Sequence, residues 1–419
     1  MSFKNKNYII TSLIAFLCTS IIYSAILAHN FNDESKFDTP FSGFPAIKIT
    51  QQLDINGDEA LKEFFTESSS SGKNWRSSFL LEFEGNLTLQ NTNLHLIIQN
   101  SVISNIKILN CCNVRIKNSE FIAGYKAVEI MDSDSIEIIS NHIHDNVVGI
   151  HMEYTNNSIL HNNIITHQSG DSTILGDGIY LLYCSNIEIQ NNIANYNHGN
   201  GIYMKRSADC IIENNILNYN YGNQSFSGNG VILVHFCDSA QIINNTANYN
   251  HGMGERYSGN GIVVEHSDWS VLFHNTANYN YNNGTGIFSG NGIYTEVSNE
   301  VKTYENVASF NSESGFEIRG SIKNIICHNN FSNNMKYGII MNFPWETEVY
   351  ENIVTNNLMG NIFDFHRANV LGDNSITTFE GIELEFGQKS IPSFNFPIFL
   401  IMTLLGTVLI IQHEKKKQI

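Results

Sequence analysis

A glycine followed by a short apolar strand returns at nearly regular intervals through the middle of this chain. That interval constrains the fold more than any other feature. The copies are Gly178-Ile179-Tyr180, Gly201-Ile202-Tyr203, Gly230-Val231-Ile232, Gly261-Ile262-Val263, Gly292-Ile293-Tyr294, Gly315-Phe316-Glu317 and Gly338-Ile339-Ile340. Successive glycines lie 23, 29, 31, 31, 23 and 23 residues apart. Within the same coil an Asn-Asn-Ile type element follows, as at Asn191-Asn192-Ile193 and Asn214-Asn215-Ile216. A fixed period of this size is the signature of a solenoid. The basic coil of about 22–23 residues predicts a right-handed single-stranded parallel β-helix, all-β, with three short strands per coil and about a dozen coils. Leucine-rich repeats share the period but need recurring Leu, whereas Ile, Val and Asn dominate here; a propeller blade needs about 40 residues. Only 5 prolines among 419 residues, with abundant Asn and β-branched residues, suit strands and Asn-rich turns.

The register follows from alternation. In Gly149-Ile150-His151-Met152-Glu153, Ile150 and Met152 share one face and His151 and Glu153 the other. The same split turns Ile179/Leu181, Ile202/Met204 and Ile262/Val264 inward. Asn163, Asn192, Asn215, Asn245, Asn275, Asn306, Asn330 and Asn352 recur at corners, where stacked amides form ladders and tolerate left-handed backbone. Asn-Tyr-Asn recurs at 195–197, 218–220, 248–250 and 278–280, so Tyr196, Tyr219, Tyr249 and Tyr279, continued by Phe310, should form an aromatic stack.

The ends differ from the middle. Residues 1–28 carry Lys4 and Lys6 before a long apolar run and read as a signal peptide or signal anchor. Residues 29–78 read as a stalk and cap, with an amphipathic helix from Asp58 to Thr66 in which Asp58 pairs with Lys62. The β-helix is expected over 79–386, a short linker over 387–396, a transmembrane helix over 397–412 and a cytoplasmic basic tail over 413–419. That topology places the bulk of the chain outside the cytoplasm, anchored in the cell membrane.

A net charge of −17 without an internal basic patch argues against nucleic acid as partner. It also weighs against a polyanionic glycan unless a groove is locally basic. Of seven cysteines, the six beyond Cys18 form no CxxC and read as small buried hydrophobes. Sequons at Asn86, Asn156, Asn223, Asn244, Asn283 and Asn330 offer glycosylation sites.

The best copy of the repeat runs from Gly201-Ile202-Tyr203-Met204 through Ile211-Ile212-Glu213-Asn214-Asn215-Ile216-Leu217-Asn218-Tyr219-Asn220. It resembles the repeat of NosD-like proteins and of the broader carbohydrate-binding and sugar-hydrolysis β-helix proteins. The segment Asp54-Ile55-Asn56-Gly57-Asp58, with Leu94-His95-Leu96-Ile97-Ile98, looks like the start of archaeal surface β-helix proteins with a C-terminal membrane anchor. The resemblance covers roughly residues 50–380 and implies the fold; function is left open, since such proteins include lyases, epimerases, hydrolases, a copper-maturation factor and non-catalytic surface proteins.

Departures from the period mark where chemistry is expected. Insertions at His167–Asp177, Tyr221–Asn229, His251–Asn260 and Tyr281–Asn291 fall at one phase of the coil and edge one face, the pattern of a binding side. The outward positions of the adjoining strands carry Glu129, His151, Glu153, Tyr180, Tyr203, Lys205, Glu265, Tyr294, Glu296, Glu317 and Arg319. Tyrosines beside charged groups suit sugars, whose apolar faces stack on rings while carboxylates bond hydroxyls. The leading expectation is therefore non-catalytic binding of glycan or cell-surface polysaccharide by Glu129, Glu153, Tyr180, Tyr203, Tyr294, Glu317 and Arg319. The enzyme alternative is a glycoside hydrolase with Glu265 and Glu296 stacked on adjacent coils, or a lyase or epimerase using Lys205 or His151. Polygalacturonase Asp-Asp and Gly-His-Gly elements are absent, and no calcium aspartates of pectate-lyase type are recognisable. His142, His144, His151, His161 and His167 cluster as a copper role requires, but read as turn residues. No cofactor and no metal ligand set is assigned. A purely structural surface protein is the third class.

Overall fold

In this computed structural model, residues 47–377 are described, apart from short gaps at 50–51, 67, 69, 172, 366–369 and 373. The expected signal segment, membrane helix and basic tail lie outside the described residues. Among those described, no helix is long and apolar enough to cross a membrane.

Each coil runs through three strand positions. One coil is Lys126–Met131, then Asp134–Ile139, then His142–His144, and the next begins at Val148–Glu153. Every strand pairs in parallel with its counterpart one coil on, as in Val128↔Ile150 and Ile202↔Val231. We call the three stacked faces first, second and third in that order. Parallel pairing already begins at Ile47–Ile49, which pairs with Leu81–Phe83, and continues at Leu53–Asn56, which pairs with Leu87–Gln90. The first long strand, Phe79–Gln90, carries a register irregularity at Gly85/Asn86.

The interior is built from the inward positions. Ile150, Ile179, Ile202, Val231, Ile262, Ile293 and Ile339 form one buried column, and Met152, Leu181, Met204, Leu233 and Val264 another. Burying such side chains supplies about 1.5–3 kcal/mol each. The repeat glycine precedes the first face because the coils approach closely there. A Cβ on Gly230 would lie 2.7 Å from the Gly261 carbonyl and 2.5 Å from Ala247.

Polar ladders lock the corners. Asn192 donates from its backbone N and its Nδ2 to Asn215 Oδ1 at 2.8 and 3.1 Å, and Asn215 does the same to Asn245 at 2.9 and 3.0 Å. The ladder continues through Asn275, Asn306, Asn329 and Asn352. Its member in the seventh position is Asn329, not the expected Asn330, which lies one residue past the corner and accepts from Ser332. A second ladder joins Asn197, Asn220, Asn250 and Asn280, the last residues of the Asn-Tyr-Asn units. Between the coils Tyr196, Tyr219, Tyr249, Tyr279 and Phe310 stack at centroid spacings of 5.1, 5.0, 4.8 and 4.9 Å.

The cap is a helix at Asp58–Phe64, with Leu61 buried and the following Phe65 stacked on Phe79 at 4.7 Å. Lys62 pairs with Glu59 at 2.8 Å rather than with Asp58. Asp58 instead accepts from Thr92 Oγ1 at 2.7 Å and from the Asn93 amide at 2.9 Å, tying the cap to the first coils. The six described cysteines are unpaired thiols.

Candidate functional site

The expected site residues occupy two outward columns of the first face. Lys107, Glu129, His151, Tyr180, Tyr203, Ile232, Val263, Tyr294 and Glu317 stack in one. Glu153, Leu182, Lys205, Val234 and, further on, Glu265, Glu296 and Arg319 stack in the other. The insertions divide these columns into three environments.

Where the first insertion leaves the face open, a cavity of about 480 Å³ is lined by His151, Tyr180 and Tyr203 from the sheet, Lys126 and Tyr125 from its edge, and Ile174, Leu175 and Asp177 from the loop. His151 is 7% exposed and its ring stacks on Tyr180 at 4.8 Å, with Tyr203 a further 5.2 Å on. Its Nδ1 is buried without a hydrogen-bond partner, and its Nε2 lies 4.0 Å from Glu153. Burial, with Lys126 beside it, lowers the imidazole pKa to about 4, so the ring is neutral. Lys126 contacts Glu129 at 2.6 Å and Lys107 approaches it at 3.4 Å; burial opposes, but the two ammonium groups outweigh it and hold Glu129 below the ordinary carboxylate range. Tyr180 is raised to about 12, by burial and then by Asp177.

Asp177 was not singled out in the sequence. Its Oδ1 accepts from the Asn200 amide at 2.7 Å and from Asn200 Nδ2 at 2.8 Å. Burial raises its carboxyl to about 7 against those bonds. The sequence held a signal: the residue before the repeat glycine is Asn at 200, 229, 260 and 291 but Asp at 177. Those asparagines form a ladder of their own, Asn229 to Asn200, Asn260 to Asn229 and Asn291 to Asn260, and Asp177 ends it at the cavity.

Further along, the insertions cover the face instead of edging it. Their first residues pair with one another, Tyr221 with His251 and His251 with Tyr281. Phe226, Tyr257 and Phe288 fold down on Ile232, Val234, Val263 and Tyr294 as a second apolar cluster. Tyr294, expected as a sugar platform, is fully buried there, because Tyr257 and Phe288 pack on its ring at 5.5 and 5.4 Å. Glu296 accepts from Tyr294 Oη at 3.1 Å and from Tyr257 Oη, and Arg319 lies over Phe288 at 4.5 Å. Glu317, also expected as a ligand contact, is 8% exposed. It accepts from Asn342 at 2.9 Å and Asn291 at 3.3 Å, and burial raises it to about 7.

The third environment is the corner after the second column. Glu265, 5% exposed, is reached by His235 Nδ1 at 3.3 Å and His266 Nδ1 at 3.0 Å. Glu265 and Glu296 are register partners, as expected, yet their carboxylates have separate partner sets. Lys205 is half-buried between Leu182 and Val234 in its column. Of the expected histidines, His142 and His144 stack at 4.2 Å, and His144 bonds Glu120 at 2.9 Å and Asp145 at 2.8 Å.

The tyrosine ladder cannot serve as a sugar platform. Its rings lie within 3–5° of parallel, so each face is covered by the next ring and only edges meet solvent.

The model for a right-handed beta helix region matches residues 79–247, and that for the periplasmic copper-binding protein NosD matches residues 285–390. Among solved structures, the A-module of mannuronan C-5 epimerase AlgE6 from Azotobacter vinelandii aligns with a TM-score of 0.58 at 12% identity, covering 76% of this chain and 94% of that one. A mutant of the periplasmic alginate epimerase AlgG aligns with a TM-score of 0.52 at 12% identity, covering 79% and 85%. No curated protein sequence matches significantly. The fold and register define a right-handed parallel β-helix repeat protein. Its C-terminal coils resemble the NosD repeat, and it shares its architecture with polysaccharide epimerases.

Proposed function

We propose that the protein binds a polysaccharide segment in the cleft of His151, Tyr180, Tyr203, Lys126 and Asp177. The observation that carries this reading is the cleft itself: about 480 Å³, floored by ring systems, with the Lys126 ammonium at its edge and the Asp177 carboxyl in its wall. Tyr180 and Tyr203 offer ring surface to a sugar, Lys126 can bond hydroxyl or carboxylate groups, Glu129 next to it can accept from hydroxyls, and Ile174 and Leu175 cover the apolar side. The structural neighbours named above are epimerases of mannuronan and alginate; they lend the reading a shared scaffold, and these side chains supply the rest. The periplasmic description of the matched family supports an extracytoplasmic location, in keeping with the topology proposed from both ends of the chain.

Calorimetric titration with a panel of neutral and uronate-containing polysaccharides tests the proposal. At least one should bind, and Tyr180→Ala should weaken it about tenfold, the loss of a stacking contact of roughly 1.4 kcal/mol. Tyr196→Ala, on the edge-exposed ladder, should change nothing. Binding unaffected by Tyr180→Ala and Lys126→Ala together would refute the cleft.

A second reading, epimerase or lyase chemistry in the same cleft, is favoured by His151. The neutral imidazole leaves Nδ1 without a partner and able to accept a proton, weakly at a pKa of about 4, and the Asp177 carboxyl, raised to about 7, can donate one. A uronate polymer incubated in D2O should then gain ring deuterium, and His151→Gln should abolish exchange while leaving binding intact. Glu265→Gln should leave exchange unchanged; its loss there would place the exchanging base outside the cleft.

A further inference from the structure

The corner at His235, Glu265 and His266 is not explained by packing. The two histidines occupy successive rungs of the same corner, with left-handed backbone at φ 58° and 46°. Their amides are tied to the next coil, His235 to the Glu265 carbonyl at 3.1 Å and His266 to the Glu296 carbonyl at 2.9 Å. The His235 amide also donates to Glu265 Oε2 at 3.0 Å, which fixes the carboxylate. Both imidazoles therefore hang from rigid backbone on either side of one anchored carboxylate.

The ring nitrogens approach that carboxylate without bonding it. His235 Nδ1 is 3.3 Å from Oε2 and His266 Nδ1 is 3.0 Å from Oε1, yet neither contact has hydrogen-bond alignment, and His266 Nδ1 is buried with no partner. All three ligand atoms lie within 4.8 Å of one another. Ligands bonded to one tetrahedral ion at about 2.0–2.1 Å stand about 3.3 Å apart. Separations of 3.0 and 3.3 Å are compatible with a shared ion, and the buried His266 Nδ1 without a hydrogen-bond partner is what calls for one. The Glu120, His142 and His144 cluster provides the contrast. There both nitrogens of His144 are already bonded to carboxylates, so that imidazole has no free ligand atom.

We propose that His235, Glu265 and His266 bind a divalent transition-metal ion of borderline softness, Zn2+ or Cu2+, through two imidazoles and one carboxylate. Imidazole selects these ions over Mg2+ and Ca2+. Each histidine side chain is 41% exposed, so the ion is reachable from solvent and keeps positions for water or an external ligand. The site lies outside the NosD-matched residues 285–390 and does not depend on the polysaccharide reading. It stands two to three coils from Tyr203 and Tyr180 along the first face, roughly 10–15 Å at about 4.8 Å per coil.

Titration of the metal-free full chain with Zn2+, and separately with Cu2+, against a chromophoric chelator decides the matter. One equivalent should bind. Glu265→Gln should weaken it at least tenfold, His235→Ala with His266→Ala should abolish it, and His142→Ala with His144→Ala should leave it unchanged. Electron paramagnetic resonance of the Cu2+ form should show coupling to two nitrogens. Circular dichroism identical to wild type keeps a lost site from being confused with a lost fold, since the two histidines are half-exposed. No binding by wild type, binding retained by the His235/His266 double variant, or binding lost in the His142/His144 variant would each overturn the assignment.

Discussion

A single carboxyl shows how a residue's place in a repeat decides its chemistry. At the position before the repeat glycine, four asparagines bond in series, and Asp177 replaces the amide at the end nearest the cleft. An amide there would be neutral at every pH, whereas the buried carboxyl is raised from 3.8 to about 7. The folded state therefore favours the protonated form. Its stabilising contribution is full below the unfolded pKa near 4 and is lost as pH rises toward and through about 7. A shift of this size corresponds to about 4 kcal/mol at alkaline pH. Asp177→Asn should accordingly gain stability relative to wild type at pH 8 and little at pH 4, read from urea unfolding at both values. An equal difference at the two pH values would mean the carboxyl titrates normally. The Asp was visible in the sequence as the exception to an Asn-Gly series. Its burial was not, because that depends on a loop folding over it. His151 and Tyr180 were legible as outward partners from strand alternation alone. The unpartnered Nδ1 was not legible, since hydrogen bonding depends on neighbours a full coil away in sequence.

The inserted loops are the elements that sequence periodicity located and then misjudged. Their phase and their adjacency to the first face followed from glycine spacing. Their behaviour did not, because Phe226, Tyr257 and Phe288 sit among Ser, Gly and Asn and read as isolated aromatics in polar loops. Stacked one coil apart, they become a continuous lid of rings with Glu296 and Arg319 bound at its margin. This changes what Tyr294→Ala tests. Deleting a buried aromatic side chain costs about 3–5 kcal/mol, so the variant should lose stability by about that amount. Amide hydrogen exchange should rise in Tyr281–Asn291 and in the neighbouring loop, while the cleft at Tyr180 keeps its ligand affinity. Loss of polysaccharide binding with unchanged stability would show instead that the ring contacts ligand. The covalent separation of the loops also matters. Each contributes one ring to a cluster that none could form alone, so deleting one loop should loosen its neighbours on both sides.

At the scale of the molecule, the repeat was legible because a parallel β-helix uses the same few solutions at every turn: glycine where backbones meet, Ile and Val inside, Asn at the corners. The Asn ladder is the most demanding of these. Asn245 receives the Asn215 amide and side chain, donates to the Asn275 carbonyl oxygen of its side chain, and caps the Ile212 carbonyl at 2.7 Å. Alanine at this position leaves the Asn215 amide and the Ile212 carbonyl buried without partners, at about 1–3 kcal/mol each. Coils contact only their neighbours, so the loss is confined to one interface rather than shared by the whole core. The expected consequence is a change in cooperativity as well as in stability. Asn245→Ala should split a single unfolding transition into two, with the coils before and after residue 245 separating under urea. Hydrogen exchange at matched denaturant would show protection lost first on both sides of this interface. Asn330→Ala, one residue away from the ladder in its own coil, should leave one transition. That contrast follows only if the ladder, rather than asparagine content in general, couples the coils into one folding unit.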